Sequence, residues 1–510
     1  MRRLSTVMVL LVLVVGLASA AGGREAAAAA DGVPTVTFFT MGVPEGEIAL
    51  RILSEAEEEV GIKIEFEQPP QQNYAERLQI MLASGDYPDV IFFPSKDQIL
   101  IEAAASGVLR PINEYLQNAP NVWEHSLPES WVSMQLLADG DIYTIPRNTV
   151  ARKDGYAVRR DWLENVGLQW PADNAVTLDE FTEWLRAFTE DDPNRSGMND
   201  TRGLFLHTAD NGRFGVYGAN NTPLYWPFGI TGWQRYGNEY MNLMYSRDRP
   251  NMKEALAYMN MIYEAGYIND DAVVVRRNPT SREMFVQGRV GMFNEFGGNV
   301  AGIGPDVQEF DPNAQIDYLV GIKNADGVVE GGSYGTGTWG YYGISSTSRH
   351  PQKIIDFFDW AFGAGWERIK WGYEGITYEV NDDGSRLRWR IPKSSDEVPP
   401  GWWGAFVRRA GDVEYFVTGR AGDQQAKAYQ YIQAAADAFV VSLDIGHVPA
   451  AARNQRFIEA EDELYETIGR IVIGDLPVSA YDAALDAWYR NGGTDYVRQM
   501  QEYIKSVWEN

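Results

Sequence analysis

The residues best spaced to do chemistry form one short run, Asp192-Pro193-Asn194-Arg195-Ser196-Gly197-Met198-Asn199-Asp200. Side-chain oxygens recur at relative positions 1, 3, 5 and 9, a backbone carbonyl is available at Met198, and glycine stands at position 6. That is the opening of an EF-hand-like calcium loop, in which alternate residues turn oxygens inward while the glycine allows the sharp bend. Position 12 is Gly203, where such a loop supplies a bidentate Glu. The candidate metal ligands are therefore Asp192, Asn194, Ser196, Met198 and Asp200, holding a structural calcium. An Asx-rich surface turn without metal is the alternative, and the sequence leaves both open.

A second kind of chemistry is suggested by rings set among glycines. Between Thr222 and Tyr240 lie Tyr225, Trp226, Phe228, Trp233, Tyr236 and Tyr240, interrupted by Pro227, Gly229, Gly232 and Gly237. Gly331 to Ser345 repeats the pattern with Trp339, Tyr341 and Tyr342, and Pro399 to Gly404 carries Trp402 and Trp403. Glycine and proline at this density place the rings on loops. Glycines let backbone approach a ligand, and indole or phenol rings offer an apolar face with a polar tip, as a pyranose requires. Such rings serve equally as local core.

Catalytic signatures are missing. No Gly-x-x-x-x-Gly-Lys-Ser/Thr, His-Glu-x-x-His or Gly-x-Ser-x-Gly run occurs, and the four histidines, His125, His207, His350 and His447, lie far apart. Cysteine is absent, which removes disulfides, thiolate metal sites and a thiol nucleophile. Paired carboxylates stay open because the chain has 71 Asp and Glu, so a glycosidase is the enzymatic alternative. A formal charge of -27 argues against a nucleic-acid partner and favours a neutral over a polyanionic solute, unless a local basic pocket from residues such as Arg147 or Arg453 overrides it.

Several elements must hold these groups in place. Arg2 and Arg3 precede an apolar run from Val7 to Leu17 and the small residues Ala18-Ser19-Ala20, which is an export signal too short to span a membrane. Removal of residues 1–20 leaves a chain of charge -29, because that segment holds two Arg and no acid. Residues 21–32 are Ala-rich and read as a tether. Strand patterns at Thr35–Phe39, Lys63–Phe66 and Val90–Phe93 alternate with helical ones at Glu47–Val60 and Tyr74–Ala83, the β-α-β-α-β start of a parallel sheet. Its strand ends bring the loops after Phe39 and Phe93 to one crevice. Gly140 to Arg147 reads as a short strand stopped by proline. Thr177 and Glu180 form a capping box for a helix that buries Phe181, Trp184, Leu185 and Phe188. Helical patterns recur at Met252–Glu264, Asp423–Val441, Arg456–Ile473 and Tyr481–Tyr489, the last closed at Gly492-Gly493.

The run Met81 to Phe93, with Ala-Ser-Gly-Asp-Tyr-Pro-Asp before the third strand, resembles the signature of bacterial extracellular solute-binding proteins of family 1, the carbohydrate-binding subunits of ABC importers. Glu-Ala-Gly-Tyr-Ile after Tyr263, Gln-Gly-Arg-Val-Gly-Met-Phe after Val286, and Gly372-Tyr-Glu-Gly-Ile-Thr-Tyr resemble further motifs of its longer, oligosaccharide-binding members. The resemblance implies an α/β, two-lobed periplasmic binding protein fold of type II-like form, each lobe a helix-flanked sheet, closing on ligand at a cleft. It implies lobes of 33–147 plus 297–345 and of 148–296 plus 346–510. It implies an exported, non-enzymatic, monomeric receptor that delivers an oligosaccharide to membrane permease subunits, with no cofactor required beyond the calcium. The residues it suggests for ligand binding are Met41, Ser95, Asp97, Trp226, Trp233, Glu295, Trp339, Tyr341 and Trp402. Some relatives hold calcium at an equivalent Asp-Pro-Asn loop, with an acid where this chain has Thr201. Lipoprotein relatives carry a cysteine where this chain has Ala21, so a free periplasmic or secreted protein is expected. A binding protein for another solute, such as a peptide, is the remaining alternative.

Overall fold

The computed structural model describes residues 32–70, 73–137, 140–149, 154–209, 213–214, 222–275, 280–331, 338–382, 384, 386–388, 403, 406–414 and 423–509. The export signal and nearly all of the tether lie outside them.

The expected opening forms. Strands β1 (Thr35–Phe39), β2 (Lys63–Glu67) and β3 (Val90–Phe93) are parallel, with β1 between the other two. Helix Glu47–Val60 turns Ile48, Ala49, Ile52, Leu53 and Ala56 onto this sheet, and Gly61 ends it in the left-handed conformation at φ 70°. That conformation is the one a residue with a Cβ adopts least readily. Two later segments complete the sheet: β13 (Thr338–Ile344) runs antiparallel to β3 and to β4 (Thr144–Asn148), in the order β2-β1-β3-β13-β4. Pro146 lies within β4 rather than stopping it. Because β4 is the sheet edge, the N–H that proline lacks breaks no inner ladder.

The second sheet has the order β11-β5-β10-β7, from β5 (Gly155–Arg159), β7 (Arg202–Phe205), β10 (Val290–Glu295) and β11 (Ile316–Leu319). A short parallel pair, β6 (Ala175–Val176) with β12 (Gly321–Ile322), adjoins it. Helix Leu178–Glu190 carries the predicted capping box and buries Phe181, Trp184, Leu185 and Phe188, each such side chain contributing about 1.5–3 kcal/mol. Trp233 to Tyr240, expected on loops, instead begins a hairpin of β8 (Trp233–Tyr236) and β9 (Glu239–Asn242). The glycine that argued against strand is its turn residue, Gly237 at φ 64°.

Each sheet has its own core, and the cores redraw the expected lobe boundaries. Residues 297–331 belong with the second lobe, since β11 pairs with β5. Residues 351–371 and 406–412 belong with the first. Helix Pro351–Phe362 buries Ile354, Ile355, Phe357 and Phe358 among Phe38, Tyr342 and Phe406, and Lys353 Nζ donates to the Val60 carbonyl at 2.6 Å. The chain returns to the second lobe for helices Asp423–Asp437, Gln455–Val472 and Ala480–Trp488. A further helix, Thr494–Trp508, follows Gly492-Gly493 where the sequence suggested an end. Its Met500 and Ile504 close a small core with Trp233 and Tyr240.

Candidate ligand-binding site

Strand polarity makes one edge of the first sheet special. Phe39 pairs with Ile91, Tyr341 with both Phe93 and Pro146, and Thr338 with Asn148. The carboxyl ends of β1, β3 and β4 therefore share an edge with the amino end of β13, where open α/β sheets receive ligands.

The β13–β4 register shifts between Thr338 and Tyr341, and Gly340 within the shift has φ 128°. A Cβ there would overlap the Phe92 ring. Such a bulge breaks the alternation of a strand and re-aims one side chain. Trp339 is 51% exposed, whereas Tyr341 is 6% exposed and Tyr342 is buried.

Cations gather on that indole. The guanidinium carbons of Arg408 and Arg147 lie 4.5 and 4.9 Å from its ring centroid, and Arg147 also stands 5.6 Å over Phe92. Behind them the Tyr342 hydroxyl lies 3.4 Å from Thr40 Oγ1. Burial pushes that phenol up to about 12, opposed by the Arg147 charge, the Thr40 bond and the Arg408 charge. Helix Pro128–Met134 braces the same edge. Thr338 Oγ1 donates to Ser130 Oγ at 3.2 Å, and Lys96 Nζ donates to Ser133 Oγ at 3.3 Å, one turn along.

Lys96 also couples this edge to the second lobe. Burial draws its ammonium down to about 8, partly offset by the Asp444 carboxylate. Asp444 sits in the turn Ser442–His447, where Ser442 Oγ donates to its carboxylate and accepts the Trp233 N–H at 2.8 Å. Burial raises the Asp444 carboxyl above its ordinary range, against the Ser442 bond, backbone N–H groups and the Lys96 charge. His447 stacks on Tyr503 with centroids 3.8 Å apart and planes 6° from parallel. Burial, then the Lys96 and Arg453 charges, depress it to about 4.

Of the residues the sequence suggested, Met41, Ser95, Asp97 and Trp339 come together on this edge. The Met41 carbonyl accepts from Gln68 Nε2 at 3.0 Å. Asp97 is committed locally: Oδ1 caps helix Gln98–Ala105 through the Ile99 and Leu100 N–H groups at 3.0 and 3.3 Å, and Oδ2 accepts the Ser95 hydroxyl at 2.7 Å. Tyr341 belongs to the first core. Trp226, 6% exposed, lies across the backbone of Gly331, and Trp233, 3% exposed, is core with Met500 and Ile504. Glu295 ends β10, and its Oε1 accepts the Phe296 N–H at 2.7 Å and Asn299 Nδ2 at 3.0 Å. Trp402 lies outside the described residues, while Trp403 beside it is buried. Sequence reasoning passed over Lys96, Arg408, Asp444 and His447. Lys96 was reachable, since it lies between Ser95 and Asp97 on a loop selected for its position. Arg408 sits outside the helices and strands, with no periodicity to mark it.

The oxygen-rich loop keeps its sequence order in space. Asp192 Oδ1 accepts the Ser196 N–H at 2.9 Å and Oδ2 the Gly197 N–H at 3.0 Å. Asp200 Oδ1 lies 3.0 Å from Asn194 Nδ2 and 3.1 Å from Ser196 Oγ, which is 3.4 Å from the Met198 carbonyl. The loop is closed by its own hydrogen bonds, with oxygens of Asp192, Asn194 and Asp200 accepting N–H and O–H groups of Asn194, Ser196 and Gly197. Gly203 contributes no carboxylate and packs inside β7 against Leu185. Thr201 is buried, with its hydroxyl donating to the Phe188 carbonyl at 2.8 Å, and Arg289 Nη1 stands 3.5 Å from Asp200 Oδ2. Among the described residues no group of three or more His, Asp and Glu is placed to hold a metal.

Residues 43–368 match the family model of the bacterial extracellular solute-binding proteins. The chain belongs to that family. This solute-binding protein is 25% identical over 465 residues to the polygalacturonan/rhamnogalacturonan-binding protein YtcQ of Bacillus subtilis (strain 168), covering 90% of this chain and 88% of the relative. Its fold is similar to that of the Streptococcus pneumoniae substrate-binding protein FusA in complex with kestose, at 18% identity and a TM-score of 0.64, and of the alginate-binding protein AlgQ2 without calcium ion, at 18% identity and a TM-score of 0.67. Each comparison covers 93% of this chain and 99% of the other. Among the described residues no helix is long and apolar enough to cross a membrane.

Proposed function

We propose that this solute-binding protein is the exported receptor of an ABC importer and binds an oligosaccharide between its lobes for delivery to permease subunits. The observation that carries this reading is Trp339, a half-exposed indole turned out of β13 by a glycine bulge at the ligand edge of the sheet. Such a ring offers a sugar a C–H stacking surface. The similarity to the polygalacturonan/rhamnogalacturonan-binding protein YtcQ, to FusA in complex with kestose and to the alginate-binding protein AlgQ2 supports a saccharide over a peptide. Calorimetry of the mature protein against neutral and acidic oligosaccharides and against peptides tests it, with analysis of the sugars afterwards. Saturable binding of intact sugar supports the receptor. Cleaved sugar supports a glycosidase, and binding confined to peptides overturns the carbohydrate reading.

Two accompanying readings are part of the proposal. Residues 1–20 act as a cleaved export signal, so the chain recovered from outside the cytoplasm starts near Ala21. The loop Asp192–Asp200 holds a structural calcium through Asp192, Asn194, Ser196, the Met198 carbonyl and Asp200, a role supported by their spacing in the sequence. Calcium there neutralises the two carboxylates and ties the loop to the end of helix Leu178–Glu190. N-terminal sequencing checks the first, and the second is tested below.

A further inference from the structure

We propose that Lys96, Asp444 and Tyr503 form a subsite between the lobes that holds two neighbouring hydroxyls of the sugar. This rests on the carbohydrate reading and deepens it, by naming the groups that select among hydroxyl patterns.

The three side chains come from distant parts of the chain. Lys96 stands just beyond the end of β3, at the ligand edge of the first sheet. Asp444 lies in the turn Ser442–His447 and Tyr503 in helix Thr494–Trp508, both of the second lobe. They meet across the lobes: the Asp444 charge is felt at Lys96 and at Tyr503, and the Lys96 charge at His447, whose ring stacks on Tyr503. Each of the three keeps part of its surface open.

Their hydrogen-bonding capacity is only partly used within the protein. An ammonium has three N–H donors, and among the described residues Lys96 uses one, on Ser133 Oγ at 3.3 Å. Asp444 accepts the Ser442 hydroxyl and backbone N–H groups of its own turn, and it is not joined to Lys96 as an ion pair. Tyr503 Oη is buried and has no hydrogen-bond partner, which is uncommon enough in a folded protein to need a reason. Two opposite charges that sense each other without touching, with an orphaned phenol beside them, are completed by a group that can bridge them.

The turn is built to hold Asp444 in place. Ile445 is a buried β-branched residue at φ 39°, followed by Gly446 at φ 69°. Left-handed backbone at such a residue persists only where its surroundings enforce it. Here they are the Trp233 N–H on Ser442 Oγ at 2.8 Å, and the Leu443 N–H on the Trp233 carbonyl and Trp508 Nε1 on the Leu443 carbonyl, each at 2.9 Å. Gly232 permits the approach, since a Cβ there would overlap Ser442 Oγ.

Chemistry selects the ligand group. A hydroxyl oxygen accepts from an ammonium and donates to a carboxylate at the same atom, which neither an amide N–H nor a carbonyl can do. A second hydroxyl beside the first extends the bridge and pairs with the phenol. Hydrogen bonds to charged groups are the stronger ones, so this subsite discriminates by hydroxyl position, whereas a ring such as Trp339 accepts any apolar pyranose face.

The test is calorimetry on the native mature protein with kestose, maltotriose and a galacturonic acid trisaccharide, then with single-deoxy forms of the one that binds most tightly. Two deoxy forms, lacking neighbouring hydroxyls, are expected to bind roughly tenfold or more weakly than the parent sugar, and the others nearly as well as the parent. Asp444→Asn and Lys96→Met are expected to weaken the parent by a similar factor and to erase the difference between it and the matching deoxy form. Tyr503→Phe removes one oxygen and keeps the stack on His447, so it is expected to weaken binding without lowering the melting temperature of the free protein. Because the deoxy series uses native protein alone, the result does not depend on the variants folding. Losses spread evenly over all deoxy forms, or variants that bind the parent as the native protein does, overturn the inference and leave the carbohydrate reading standing. Binding of none of the three trisaccharides removes both.

Discussion

The Arg408 guanidinium carbon stands 4.5 Å from the centre of the Trp339 indole, a ring that its own strand leaves half in solvent. Trp339 is thus held by stacking from one side of the sheet edge and packs little into the core. Trp339→Ala is expected to lower oligosaccharide affinity roughly tenfold, as loss of an aromatic contact does, with little change in melting temperature. Tyr342→Ala, in the buried layer below, is expected to cost about 3–5 kcal/mol of stability by analogy with other large-to-small core changes. Parallel calorimetry and thermal unfolding distinguish the two positions.

Gly340 is what permits this arrangement. At φ 128° with Phe92 against its α-carbon, it tolerates neither the backbone strain nor the volume of a side chain. Gly340→Ala is expected to destabilise the protein by about 2 kcal/mol or more and to weaken ligand binding as well, because the bulge relaxes and Trp339 turns. Denaturant unfolding and calorimetry of the same preparation report both effects.

The Asp192–Asp200 loop predicts a response to calcium. Binding to the native state alone raises stability by about 2.7 kcal/mol when free calcium is a hundredfold above Kd. Chelator is therefore expected to lower the melting temperature, added calcium to restore it, and Asp192→Asn to abolish the response. A melting temperature indifferent to both would leave the loop as a hydrogen-bonded Asx turn, with Arg289 as the partner of Asp200.

His447 gives a pH signature. Its folded value of about 4 lies below the ordinary histidine value of 6.5, so the folded protein refuses a proton that the unfolded chain accepts. Its contribution to stability is complete above pH 6.5 and is lost as pH falls toward 4. Asp444, whose carboxyl is raised, acts in the opposite sense, gaining its proton first in the folded state. His447→Gln should therefore flatten the loss of stability between pH 6.5 and 4, measured by denaturant unfolding at stepped pH. Lys96→Met should raise the His447 titration midpoint in NMR spectra without returning it to 6.5, since burial is the larger cause.

Ligand binding is expected to draw the lobes together, because Lys96 on one side and Asp444 on the other already sense each other's charge. Small-angle scattering should report a smaller radius of gyration with saturating oligosaccharide, and an unchanged value would mark a rigid cleft.

Much of the fold was legible because local physics specifies it. The alternation from Thr35 to Phe93, the capping box at Thr177 and the stripe from Phe181 to Phe188 depend on neighbours within a few residues, and each formed where expected. The solute-binding family was equally legible, from motifs at turns and strand ends. The oxygen-rich turn was readable in its spacing, and Asp192 and Asp200 close it through Ser196. What the sequence could not decide was which rings face solvent. Trp226, Trp233, Tyr341 and Trp339 share a Gly-rich context, yet three are buried by partners as remote as Gly331, Met500 and Phe93, while a register shift against β4 leaves the fourth exposed. The lobe boundaries and the charge of the ligand edge were likewise decided by contacts between distant segments. Helix Pro351–Phe362 finds the first core across some 300 residues of chain, a separation no local pattern encodes. Arg408 meets Arg147 only because β4 and the segment after Trp403 fold against the same edge. Composition alone describes an acidic protein; tertiary structure brings Arg147 and Arg408 together over the Trp339 ring.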